Sequence, residues 1–120
     1  MRRPAPPREI PPPLELECLK ALWGMGEGTV RDVQRVLEGS RDLAYTTVMT
    51  VLDRLEKRGG VSRRKQGRSF LYAPKMSREE LRKFAVRELV DTFFDGSAEL
   101  LRRYLEEAGQ PEKALDAVQL

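Results

Sequence analysis

Nine residues have types and spacing that suggest chemistry: Tyr45, Thr46, Thr47 and Thr50, then Arg54, then Arg63, Arg64, Lys65 and Arg68. Threonine hydroxyls and methyls can hydrogen-bond base edges or phosphates and pack against thymine methyls without carrying a fixed charge. Threonines can equally bond back to their own helix, and that reading stays open here. The cations form part of a steep local imbalance. From Arg54 to Arg68 seven basic residues (Arg54, Lys57, Arg58, Arg63, Arg64, Lys65, Arg68) face one acid, Glu56, whereas from Met76 onward seven basic residues face ten acidic ones. A formal charge of only +3 therefore hides a concentrated positive stretch, as a polyanion footprint requires.

The elements that must position these residues can be read from periodicity. A helix predicted over Leu43 to Arg58 buries Val48, Val51, Leu52 and Leu55 and leaves the threonines on its opposite, N-terminal side. Its sixteen residues at about 1.5 Å each make a rod of about 24 Å, thin enough for a major groove. After Gly59 and Gly60 the period changes. Val61 to Lys65 and Ser69 to Ala73 read as two strands about Gln66-Gly67-Arg68, a basic wing whose tip can straddle a phosphate backbone or enter a minor groove.

Two helices precede this unit. The first begins near Pro13 and runs LELECLKALW, with Leu16, Leu19, Leu22 and Trp23 inward and Glu15, Glu17 and Lys20 outward. GMGEG is a connector, since no Lys-Ser/Thr follows to make a phosphate loop. Thr29 caps the second helix, VRDVQRVLE, with Asp32 in its first turn and Val30, Val33, Val36 and Leu37 inward. Three helices and a hairpin in this order predict a mostly α protein built on a winged helix-turn-helix over residues 13–74.

Residues 1–12 are Pro-rich and read as a flexible arm, which Arg2, Arg3 and Arg8 could turn into a DNA-touching tail. Beyond Pro74, Ser77 and Glu80 suggest a capping box for the helix LRKFAVRELVDTFFD. Ser97 caps AELLRRYLEEA, and a final EKALDAVQL follows Pro111. Leu81, Phe84, Ala85, Leu89 and Phe93, then Leu100, Leu101, Tyr104 and Leu105, form the apolar stripe of this 75–120 region, widened by Val86, Val90 and Phe94. Short amphipathic helices cannot bury so much apolar surface by themselves. The partner is either the winged helix of the same chain or a second copy. A symmetric dimer, the reading favoured here, lets two recognition helices reach successive turns of duplex.

Histidine is absent and Cys18 is the one cysteine, so common zinc sites, His-dependent catalysis and an internal disulfide are all excluded. Cys18 reads as a small core residue. No carboxylate pair stands out from ordinary surface acids such as Glu106 and Glu107, which argues against an enzyme, and nothing calls for a cofactor or metal. No apolar run approaches the roughly 18 residues of a membrane span, so a cytoplasmic protein is expected. A winged helix that binds protein without reading DNA remains the alternative.

The strings LELECLKALW, TVRDVQRVL, LAYTTVMTVLDRLEKRG and SRRKQGRSFLYAP resemble the penicillinase-repressor family of bacterial transcription regulators, the BlaI/MecI/CopY group. The resemblance implies a homodimeric repressor on an inverted-repeat operator of double-stranded DNA, in several members built around TACA/TGTA half-sites, with the C-terminal helices dimerising. It matches Tyr45, Thr46, Thr47 and Thr50 to the DNA-facing set, Arg54 to a phosphate contact or structural ion pair, and Arg63, Arg64, Lys65 and Arg68 to the wing. It further implies derepression through a membrane sensor with a metalloprotease domain. The chain departs from the family in lacking the C-terminal cysteines of the copper-responsive branch and in having Arg103-Tyr104 where cleaved members have Asn-Phe. Pro12 replaces a Ser or Thr cap, and Gly60 replaces an apolar residue, which should loosen the first wing strand.

Overall fold

A computed structural model describes residues 7–109. In chain order its elements are α1 (Pro13–Met25), α2 (Val30–Leu37), α3 (Tyr45–Lys57), β1 (Val61–Gln66), β2 (Ser69–Pro74), α4 (Arg78–Phe93) and α5 (Ala98–Glu107). Two compact units divide the chain after Phe84. The expected final helix EKALDAVQL, together with Arg2 and Arg3 of the arm, lies outside the described residues.

In the first unit, α1 starts with Pro13 at a position where no amide is needed, and the Leu16 amide donates to the Pro12 carbonyl at 2.9 Å. Cys18, Leu19 and Leu22 are wholly buried, as are Val33 of α2 and Val48 and Leu52 of α3. Glu15 corrects the outward placement expected for it, being only 4 % exposed. The guanidinium of Arg58, just past α3, folds over Glu15 with Nε 3.2 Å from its Oε1, and Arg58 also pairs with Glu9. A buried charge needs such a partner.

α2 opens on a reciprocal capping box. The Asp32 amide donates to Thr29 Oγ1 at 3.1 Å, and the Thr29 amide donates to Asp32 Oδ2 at 2.9 Å. Val30, Val33 and Leu37 form its buried stripe, but Val36 corrects the inward placement and is 56 % exposed. One residue on a helix turns about 100°, which takes Val36 off the stripe that Leu37 occupies.

α3 begins at Tyr45, two residues after the expected start, behind an extended Ala44. The Leu43 carbonyl is held outside the helix by Gln34 Nε2, which donates to it at 3.0 Å. The other end closes in a Schellman turn. Gly59, at φ 82°, sends its amide to the Glu56 carbonyl at 3.0 Å, and the Gly60 amide reaches the Leu55 carbonyl at 2.8 Å.

β1 and β2 pair antiparallel from Val61 opposite Pro74 to Gln66 opposite Ser69, so the connection shrinks to Gly67-Arg68, with Gly67 at φ 62°. Each strand is one residue longer than expected. Val61 and Tyr72 point into the core. Gly60 is buried: its carbonyl accepts from the Lys75 amide at 2.9 Å, and a β-carbon at this position would meet Leu55 at 3.3 Å and Met76 at 3.6 Å. The connector Gly26–Thr29 does more than join helices, because Gly28 and Tyr72 exchange both backbone hydrogen bonds, at 2.9 and 2.8 Å. That bridge pins β2 to the start of α2.

Leu81 is 5 % exposed within this same core, and Met76 and Phe84 pack against it. The first unit thus reaches Phe84, beyond the expected boundary at Pro74. Within this unit Trp23 Nε1 also donates to the Met76 carbonyl at 2.9 Å. The second unit contains the remainder of α4 and α5, joined through Asp95 and Gly96, with Ser97 Oγ accepting from the Leu100 amide at 3.2 Å. Phe94 and Tyr104 meet with ring centroids 5.6 Å apart. Among the described residues no helix is long and apolar enough to cross a membrane.

Candidate nucleic-acid interface

The buried stripe of α3, Val48, Val51, Leu52 and Leu55, fixes which side of the helix faces out. Thr46, Thr47, Thr50 and Arg54 are all exposed on that side, and Tyr45 is 41 % exposed at its edge. Arg31 of α2 lies over the Tyr45 ring, 5.2 Å from its centroid, so the tyrosine is braced from the preceding helix. The threonines are not equivalent. Thr50 Oγ1 donates its proton to the Thr46 carbonyl at 2.9 Å and keeps only its lone pairs and methyl for a ligand. No such bond occupies Thr46 or Thr47 among the described residues.

The helix is held at its N-terminal side by two tethers. Gln34 holds Leu43, and Arg41 Nε lies 2.6 Å from Glu17 Oε2 of α1. At its C-terminal side Arg58 is spent on Glu15 and Glu9. Glu17 and Glu15 of α1, which sequence reading left to solvent, therefore pair with arginines just before and just after α3.

The basic stretch divides in the same way. Arg64 reaches back to Glu27, with Nη2 at 3.2 and 3.3 Å from its two carboxylate oxygens. Arg63 lies over the Phe70 ring at 4.6 Å and 3.5 Å from Asp53 Oδ1, while Lys57 Nζ is 3.0 Å from Asp53 Oδ2. Arg54, Lys65 and Arg68 have no acidic partner within 4.0 Å among the described residues. They are the cations most available to a phosphate, one on α3 and two at the end of the wing.

Sequence reading missed four neighbours. Met49, 42 % exposed, adds an apolar edge to the face, and Arg31 and Arg35 stand one turn apart on the outer side of α2. Their i, i+4 spacing was the available signal. Asp53, the fourth, follows Thr46 by seven residues and so shares its side of the helix; the Lys four residues later hinted at the pair.

The residues expected to dimerise fall into two groups. Leu81 and Phe84 lie with the core of the first unit. In the second, Leu89, Leu100 and Tyr104 are each 40 % exposed and Phe93 is 73 % exposed, while Leu101 and Leu105 are half-buried. Val86, at 52 %, joins the exposed set.

The family model for the penicillinase repressor matches residues 12–119 of this chain. The chain is 48 % identical over 69 residues to the transcriptional regulator BlaI of Mycobacterium tuberculosis, an alignment covering 57 % of this chain and 50 % of that protein. It is 26 % identical over 83 residues to the penicillinase repressor of Bacillus licheniformis, covering 69 % of this chain and 65 % of that one. The chain thus spans about half the length of the mycobacterial relative it matches. Among solved structures it is similar to the DNA-binding domain of the repressor BlaI, with a TM-score of 0.53 and 26 % identity over 66 % of this chain and 90 % of that domain. It is also similar to monomeric Bacillus licheniformis BlaI in complex with the blaP half-operator, with a TM-score of 0.51 and 28 % identity over 60 % of this chain and 88 % of that one.

Proposed function

This chain belongs to the penicillinase repressor family, and from that membership we propose that it is a cytoplasmic transcriptional repressor that binds an inverted-repeat DNA operator as a homodimer. The observations that carry the proposal are the exposed Thr46 and Thr47 on α3 and, on the wing that follows it, Lys65 and Arg68, which have no acidic partner within 4.0 Å among the described residues. A half-operator complex of a similar chain supports DNA binding as the function. In this reading α3 enters the major groove, Thr46 and Thr47 read base edges, and Arg54, Lys65 and Arg68 grip phosphates. Thr50 contributes its methyl and an acceptor. The exposed apolar residues of α4 and α5 hold the second copy. Derepression through a membrane sensor protease pathway completes the proposal, as the family resemblance implies.

A mobility shift with the full chain and genomic fragments at physiological salt tests the reading. Retention of fragments sharing an inverted repeat is expected, and retention of none at micromolar protein overturns it in favour of a protein-binding winged helix. Lys65→Ala should weaken binding to all sequences and flatten the salt dependence by about 0.9 for each phosphate no longer neutralised. Arg64→Ala should do so less, because Glu27 already holds that guanidinium. Thr47→Ala should change base preference, by about 1 to 3 kcal/mol at its position. Equal losses on every sequence for Lys65→Ala and Thr47→Ala would contradict this division of roles.

A further inference from the structure

Asp53 is the acid on the outward side of α3, where a carboxylate repels the phosphates the neighbouring cations attract. Such a placement calls for a reason. A carboxylate on a recognition helix can accept from a cytosine amino group, but here both oxygens are already engaged: Oδ2 with Lys57 at 3.0 Å and Oδ1 with Arg63 at 3.5 Å. The second of these pairs crosses from α3 to β1, and Arg63 is fixed a second time by the Phe70 ring of β2 at 4.6 Å. The chain Lys57, Asp53, Arg63, Phe70 therefore joins the recognition helix to both strands of the wing through side chains.

We infer that Asp53 is a specificity-determining residue that acts by position: it withholds Lys57 and Arg63 from indiscriminate phosphate binding and sets the wing against α3. The inference rests on the DNA-binding reading above. Two consequences of opposite sign follow from removing the charge. Freed cations and the removal of a repulsion favour any duplex, whereas a loosened wing lowers the advantage of the matching one. The ratio of affinities is what falls.

The experiment compares the full-length protein with Asp53→Asn on a fragment selected by the wild type and on a scrambled duplex of equal length, over a salt series. Asp53→Asn is expected to bind the scrambled duplex about three- to fivefold more tightly, the scale of an exposed ion pair. Its salt dependence should steepen by about 0.9 for each cation released to a phosphate. The ratio of selected to scrambled affinity should fall at least threefold. In an Arg63→Gln background the same change should move the ratio much less, which a residue acting independently of Arg63 would not show. An Asp53→Asn protein that keeps the wild-type ratio overturns the inference, whatever its absolute affinities. Backbone amide relaxation of residues 62–73 without DNA keeps the two proposals distinguishable. If the wild type selects no fragment, the proposed function fails on its own account. Wing amides unchanged by Asp53→Asn then overturn the role of Asp53 as well.

Discussion

Cys18 sits wholly buried among Leu19, Leu22 and the α2–α3 side chains, beside Glu15 and Glu17. Burial first, and then the two carboxylates, push its thiol up to about 12, so at neutral pH it is a small apolar side chain and not a nucleophile. A maleimide or disulfide reagent at pH 8 should leave the native protein unmodified and label it stoichiometrically in denaturant. Labelling of the folded protein at the denatured rate would show that the thiol is accessible. Glu15 carries the same lesson from the other side. The sequence pattern put it with Glu17 and Lys20 on a solvated face. What decides its burial is Arg58, which a helical wheel of α1 cannot contain because it lies 43 positions away in sequence.

Among the elements, α2 is short, and its start depends on the Thr29–Asp32 box. Hydrogen bonds from the Thr29 backbone, and then from its side chain, hold the Asp32 carboxyl below the usual carboxylate range. A depressed folded pKa means that the stabilisation is complete above the ordinary value near 3.8 and is lost as pH falls through the lower folded value. Thr29→Ala should cost about 1 kcal/mol at neutral pH, and the difference from wild type should shrink in melts taken toward pH 2. At the far end of α3, Gly59 at φ 82° permits the Schellman turn that aims β1. Gly59→Ala should destabilise by about 1 to 2 kcal/mol, the cost of a side chain in a left-handed conformation, read as a lowered midpoint in urea. Helix and strand order, the N-caps at Thr29, Ser77 and Ser97, and the core stripe of α3 were legible from spacing, because propensity and burial agree there. The Gly28–Tyr72 bridge was not, since a single rung of strand pairing leaves no periodic trace. The outward position of Thr46, Thr47 and Thr50 was readable from the α3 stripe, but the commitment of the Thr50 proton to Thr46 was not.

For the whole molecule, the apolar residues divide according to what each unit can bury. Leu81 and Phe84 are absorbed by the winged helix, whereas Phe93 remains 73 % exposed with Val86, Leu89, Leu100 and Tyr104 also open. These exposed side chains on α4 and α5 are the ones the proposal assigns to the second copy. Phe93→Glu and Leu89→Glu should convert a dimer to a monomer in sedimentation velocity while leaving the circular dichroism of the winged helix intact. Operator binding by such a variant should require higher protein, because each copy then holds its half-site alone. A wild-type protein that sediments as a monomer at micromolar concentration would remove this surface from the proposal.

The indole of Trp23, the only tryptophan in the chain, donates to the Met76 carbonyl and lies under the Arg78 guanidinium at 5.4 Å. Its surroundings are thus set by the two residues that lead from the wing into α4. Indole emission shifts to the red when a hydrogen bond to protein gives way to water, so the chain carries a fluorophore against the segment between β2 and α4. Displacement of the Met76–Arg78 segment from α1 can be followed by light alone, in an unlabelled protein, while the rest of the winged helix stays folded.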